Sequence, residues 1–147
     1  MIILTLNCGS SSVKYQVYDW TNRVSLASGA VERVTQEGSM IKHKTLDGKE
    51  LESNHPCPDH RHAIELILQT IQNEDYGAIT SIDEISAVGH RVVHGGEAFT
   101  KSVMIDDKVL KQFRKIQHLA PLHNPANIMG IEAARAVLPD VPHCAVM

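Results

Sequence analysis

The sequence predicts an α/β domain, a mixed β-sheet with flanking helices, and three features of its 147 residues carry that expectation. The chain opens with two runs rich in β-branched residues, joined by a turn of small residues, which is the pattern of an antiparallel hairpin. Its second half alternates apolar, strand-like runs with segments of helical period. A last apolar run, Val141 to Met147, follows the final helical segment. Antiparallel strands at the start and strand–helix alternation afterwards require a sheet of mixed strand direction.

The opening hairpin spans Ile2 to Asp19. Ile2, Ile3, Leu4 and Leu6 make a near-continuous apolar strand of the buried kind, and Val13, Tyr15 and Val17 alternate with Lys14, Gln16 and Tyr18 in the second. The turn Gly9-Ser10-Ser11-Ser12 is of phosphate size: glycine admits close approach of a ligand, and three hydroxyls add donors to the backbone N–H groups. The Walker A spacing is absent and the turn leads into a strand rather than a helix. A polar turn without a ligand has the same composition, so the stretch alone leaves both readings open.

Residues 23–34 carry alternating apolar positions, Val24, Leu26, Ala30 and Val31, and predict a third strand with a bulge at Gly29. Met40 to Thr45 and Glu50 to Ser53 predict a hairpin across Asp47-Gly48, a decoration on the sheet. Asp59 stands before an amphipathic helix, His60 to Ile71. Ile85 to Val93 predicts a central strand emptying into His94-Gly95-Gly96-Glu97, and functional groups often gather at such strand ends. Asp106 or Asp107 caps a helix over Lys108 to Gln117, and Asn124-Pro125 starts another that runs to about Val137. The closing strand, from Val141, has no helix after it to cover it.

The composition suits one soluble domain over residues 1–147, and the net charge of -3, with Lys and Arg scattered, leaves no basic field for nucleic acid. No apolar run approaches the roughly 20 residues of a membrane span, and no basic leader precedes the first strand, so the expected location is cytoplasmic. Three cysteines without a C-x-x-C pair, Cys8, Cys57 and Cys144, argue for reduced thiols, with Cys8 a packing residue rather than a nucleophile.

Two further stretches carry chemistry. Val88 to Glu97 places Arg91 within an otherwise apolar strand, where a buried guanidinium needs a partner, either a structural carboxylate or a forked contact to a substrate carboxylate or phosphoryl group. His90 and His94, i and i+4 on a strand, stand roughly 13 Å apart, too far to share a metal. Cys57 to His62 lacks the second ligand pair of a zinc site. His118 to Asn127 is a proline-bounded loop entering a helix N-terminus, which favours anions, and His123 in it suits either charge stabilisation or packing.

Taken together, N-C-G-S-S-S-V-K, G-H-R-V-V-H-G-G-E and L-A-P-L-H-N-P-A-N resemble the acetate and propionate kinases, short-chain carboxylate kinases with a ribonuclease H-like, actin-like ATPase fold, in identity, order and spacing across essentially the whole chain. The resemblance implies transfer of the ATP γ-phosphoryl group to acetate, giving acetyl phosphate and ADP with Mg2+. It implies that Ser10, Ser11, Ser12 and Lys14 approach the nucleotide phosphates, with Asn7 at the metal position. It also puts Arg91 on the substrate-binding arginine, Val93 and Leu122 on the acyl-methyl pocket, and His123 beside the transferring phosphate, so that Arg91 and His123 are the catalytic candidates. Butyrate kinases, with N-P-G-S-T-S-T-K at the hairpin, match less well. Val93 narrows the pocket toward acetate over propionate, although one methylene is worth only about 1–3 kcal/mol.

Family chains continue through F-D-T-A-F-H, with the catalytic aspartate, into a nucleotide-binding domain. Here Met147 takes the phenylalanine position, so the expectation is the N-terminal domain of a longer, homodimeric kinase, inactive in isolation. Two alternatives stay open: a non-catalytic module that binds phosphate or a partner protein, and an actin-like fragment serving assembly alone.

Overall fold

A computed structural model describes residues 1–92, 102–116 and 124–146. Eight strands among them form one sheet. In chain order they are β1 (Ile2–Cys8), β2 (Ser12–Asp19), β3 (Val24–Glu32), β4 (Met40–Thr45), β5 (Glu50–Asn54), β6 (Ile85–Arg91), β7 (Val103–Met104) and β8 (His143–Val146). The sheet order is β5-β4-β3-β2-β1-β6-β8-β7. The meander β1 to β5 is antiparallel, β6 joins β1 in parallel, β8 joins β6 in parallel, and β7 closes the far edge antiparallel to β8. The mixed sheet expected from the pattern is therefore present.

Among the described residues three α-helices accompany it: α1 (His60–Ile71), α2 (Asp107–Ile116) and α3 (Asn124–Val137). Asp59 caps α1, its carboxylate accepting from the His62 N–H at 2.8 Å, and Asp106 caps α2 through the Val109 N–H at 2.8 Å. Period two in β1 and β2 sends Leu4, Leu6, Cys8, Val13, Tyr15 and Val17 to one face, where Ile64, Ile67 and Ile71 of α1 and Ala134 of α3 share their core. Asn7 and Lys14, paired across the ladder, alternate with those core positions and leave the opposite face polar. Each side chain buried from the main core removes apolar surface worth about 25 cal/mol per Å².

Four expectations need correction. The closing strand is covered: Ala145 of β8 packs with Val92, Leu110, Phe113, Ile128 and Ile131, a second cluster built by α2 and α3, which precede it in the chain. The edge strand β7 was missed, since two residues are too few to show a period. The bulge of β3 is at Leu26, the extra residue between Ser25 and Ala27 opposite Tyr18 and Val17 of β2, rather than at Gly29. Gly29 instead faces Tyr15, and a Cβ there would collide with the tyrosine ring and the Lys42 carbonyl. That leaves room for the Tyr15 hydroxyl to donate to His43 Nδ1 at 2.7 Å, while His43 Nε2 donates to the Tyr76 carbonyl at 2.7 Å. Gly29→Ala is expected to cost about 3 kcal/mol. Urea unfolding reads it directly, and an unshifted midpoint would mean the tyrosine yields freely.

The fourth correction concerns Arg91. Strand β6 buries Val88 and His90, and Arg91, its last residue, is exposed. Alternation puts His90 on the core side, so the polar residue requiring a buried partner is the histidine.

Candidate functional site

The three parallel strands β1, β6 and β8 end on the same sheet edge, because Leu6 pairs with His90 and Arg91 with Val146. The tip of the β1–β2 hairpin rises at that edge. In open α/β sheets this is where ligands collect. A cavity of about 570 Å³ lies there, lined by Asn7, Lys14, Gln16, Gly89, Arg91 and Val146 among others.

Asn7, Lys14 and Arg91 thus share one cavity although the last is far from the first two in sequence. Among the described residues no carboxylate lines it, and neither Lys14 nor Arg91 makes an ion pair. Two cations without a counter-ion among the described residues suit an anionic ligand, which Arg91 can grip through two parallel N–H bonds and Lys14 as a point charge. Ser10, Ser11 and Ser12 sit at the hairpin tip beside the cavity and do not line it. Val93, Leu122 and His123 lie outside the described residues.

The floor beneath Arg91 is held neutral. His143 Nε2 donates to the Leu138 carbonyl at 2.8 Å, so its Nδ1 accepts from His90 Nε2 at 2.9 Å. Burial, with the neighbouring His143 adding to it, pushes the His90 pKa down to about 3. Burial also lowers His143. Cys8 is no nucleophile: burial pushes its thiol up to about 12, and its side chain lies against Gly130 of α3.

Two residues at the hairpin tip were not singled out from sequence for any role there. Asn127 of α3 donates from Nδ2 to the Cys8 carbonyl at 2.7 Å, and His60 of α1 donates from Nε2 to the Gly9 carbonyl at 2.7 Å. Asn127 was visible only as a letter in the third motif. His60 belonged to the stretch weighed for zinc, and its neighbours are engaged otherwise: His62 Nδ1 meets Asp59 at 2.6 Å and Cys57 is buried. Among the described residues no group of three metal-ligating side chains converges.

Residues 2–147 match the model of the acetokinase family. The chain belongs to that family. It is 58% identical over 146 residues to the acetate kinase of Geobacter sulfurreducens, covering 99% of this chain and 35% of that protein. It is 56% identical over 147 residues to the acetate kinase of Treponema pallidum, covering all of this chain and 33% of that one. The acetokinase chain thus spans about a third of the length of these curated relatives. Among solved structures, the acetate kinase of Porphyromonas gingivalis superposes with a TM-score of 0.95 at 42% identity, covering 99% of this chain and 36% of the other. A propionate kinase from Francisella tularensis superposes at 0.87 with 34% identity, covering 99% and 36%. The fold is that of the acetate and propionate kinases, the actin-like ATPase architecture expected of the three motifs.

Proposed function

We propose that this chain is the N-terminal domain, residues 1–147, of a longer cytoplasmic kinase that reversibly transfers the γ-phosphoryl group of ATP to acetate, forming acetyl phosphate and ADP. The observation that carries this reading is the pair Lys14 and Arg91, two cations without a carboxylate partner among the described residues, on one cavity at the C-terminal edge of the parallel strands. Such a transfer has little covalent chemistry for a protein to perform and depends on positioning and charge stabilisation.

Arg91 holds the acetate carboxylate by its forked N–H groups and keeps the attacking oxygen in line with the phosphorus. Lys14 and the donors of Ser10, Ser11 and Ser12 hold the nucleotide phosphates. Val93, Leu122 and His123 take the roles the resemblance implies: an apolar seat for the methyl group, and a donor beside the transferring phosphate.

A magnesium ion fits this donor set. Mg2+ keeps several waters and takes few protein oxygens when phosphates supply the rest, and Asn7 offers one carboxamide oxygen on a cavity that no carboxylate lines among the described residues. Asn7 would hold the ion, which when bound neutralises charge on the phosphate oxygens.

The test is trapping of acetyl phosphate as its hydroxamate, with the full-length protein, MgATP and acetate. Turnover is expected from the full-length protein and none above background from the 147-residue chain alone, since one wall of the cleft and the aspartate of the family motif belong to the remainder. Turnover by the isolated chain at a rate near that of the parent would reject the division of labour, and a full-length protein that binds phosphate without turnover would favour a non-catalytic module. The Francisella likeness keeps propionate as a second acceptor, and the ratio of kcat/KM for the two acids decides between them. The full-length protein is expected to be a homodimer.

A further inference from the structure

Four carbonyl oxygens at the tip of the first hairpin, those of Cys8, Gly9, Ser11 and Ser12, accept hydrogen bonds. Asn127 takes Cys8, His60 takes Gly9, the Val34 N–H takes Ser11 at 2.9 Å, and the Gly9 N–H takes Ser12 at 2.8 Å. Among the described residues the N–H groups of Ser10 and Ser11 have no such partner. In a trans peptide the carbonyl and the following N–H point in opposite directions. A Gly9 carbonyl pinned inward therefore turns the Ser10 N–H outward.

His60 does the pinning. It is the first residue of α1, 3% exposed, and 51 residues from Gly9 in sequence. A carbonyl only accepts, so Nε2 is the donor in this bond. The ring's Nδ1 is buried without a hydrogen-bond partner among the described residues. An apolar side chain would fill the same space with no orphaned polar atom, so packing gives no reason for a histidine here. The bond from its other nitrogen does.

We propose that His60 is a positioning residue for nucleotide binding: by holding the Gly9 carbonyl inward, it aims the Ser10 N–H at a phosphate of the bound nucleotide. This rests on the phosphate-binding reading of the hairpin. Glutamine and asparagine separate the two ring nitrogens, because a glutamine amide reaches the position of Nε2 and an asparagine amide only that of Nδ1.

In the full-length protein, His60→Asn is expected to raise the KM for MgATP by about tenfold, the loss of roughly one hydrogen bond to a charged group, while the KM for acetate stays within about twofold. His60→Gln keeps the KM for MgATP near that of the unsubstituted protein. Equal KM values for MgATP in the two variants, or parallel losses toward both substrates, would overturn the inference. A second measurement is independent of how well His60→Asn folds. With ring-15N histidine, the His60 Nε2 signal, identified by its loss in His60→Gln, shifts when MgATP is added. A signal that stays fixed while the Ser10 amide moves overturns the proposal. If neither moves and no acetate is phosphorylated, the phosphate-binding reading itself has failed and the inference falls with it.

Discussion

Arg91→Ala in the full-length protein is expected to lower kcat for acetyl phosphate formation by about a thousandfold, with little change in stability. The first half follows from the bond the side chain is proposed to make. A charge-assisted, two-pronged contact to the reacting carboxylate strengthens as charge shifts in the transition state, and deleting one such donor commonly costs about 10²–10³ in rate. The second half follows from where the side chain stands. Arg91 is exposed at the end of β6 and makes no ion pair among the described residues, so truncation leaves no buried charge unpaired, and a change within about 0.5 kcal/mol is expected. Arg91→Lys is expected to restore little, because an ammonium cannot reproduce the fork. Hydroxamate assays and thermal melts on the same preparations decide it; kcat within tenfold of the unsubstituted protein would remove Arg91 from the reaction.

Mild acid is expected to destabilise the fold well before its carboxylates titrate. The folded state holds His90 neutral down to about pH 3, whereas the unfolded chain protonates it near its ordinary value of 6.5. Stability from this group is therefore complete above pH 6.5 and is lost as pH falls toward 3. The unfolded state binds one more proton throughout that window, so the slope is about 1.4 kcal/mol per pH unit. His143, also lowered by burial, adds a loss of the same sign. Asp19, Asp47, Asp59 and Glu84 are held below their usual range by hydrogen bonds from Asn22, Thr45, His62 and Thr80, and their contribution fades only at lower pH. Unfolding free energies from urea titrations at pH 7.0 and 4.5 are expected to differ by about 3 kcal/mol or more, with a shallower pH dependence in His90→Gln. A flat profile over that range would mean that the His90–His143 pair is not buried as a neutral unit.

The residues differ in how legible they were. Strands β1 and β2 and helix α1 could be read because period two and period 3.6 persist over enough residues to be distinguished, and Asp59 marks the helix start. Gly29 was misread because a glycine within a strand has the same local signature whether it bulges or makes room for a ring. Arg91 was misread as buried because a short apolar run does not say which face each residue takes or where the strand ends. Val93, Leu122 and His123 rest on the motif resemblance alone.

The sequence by itself determined the element types, the mixed sheet and the family, since those depend on local period and on motifs held in order along the chain. Tertiary structure decided what meets at the site. The parallel pairing of β6 with β1 brings Arg91 beside Asn7 and Lys14, and α1 and α3 deliver His60 and Asn127 to a turn 51 and 119 residues away. Such contacts leave no periodic trace, because the bond that matters is set by how sheet and helices pack, and a histidine on a helix looks the same in sequence whichever carbonyl it finally holds.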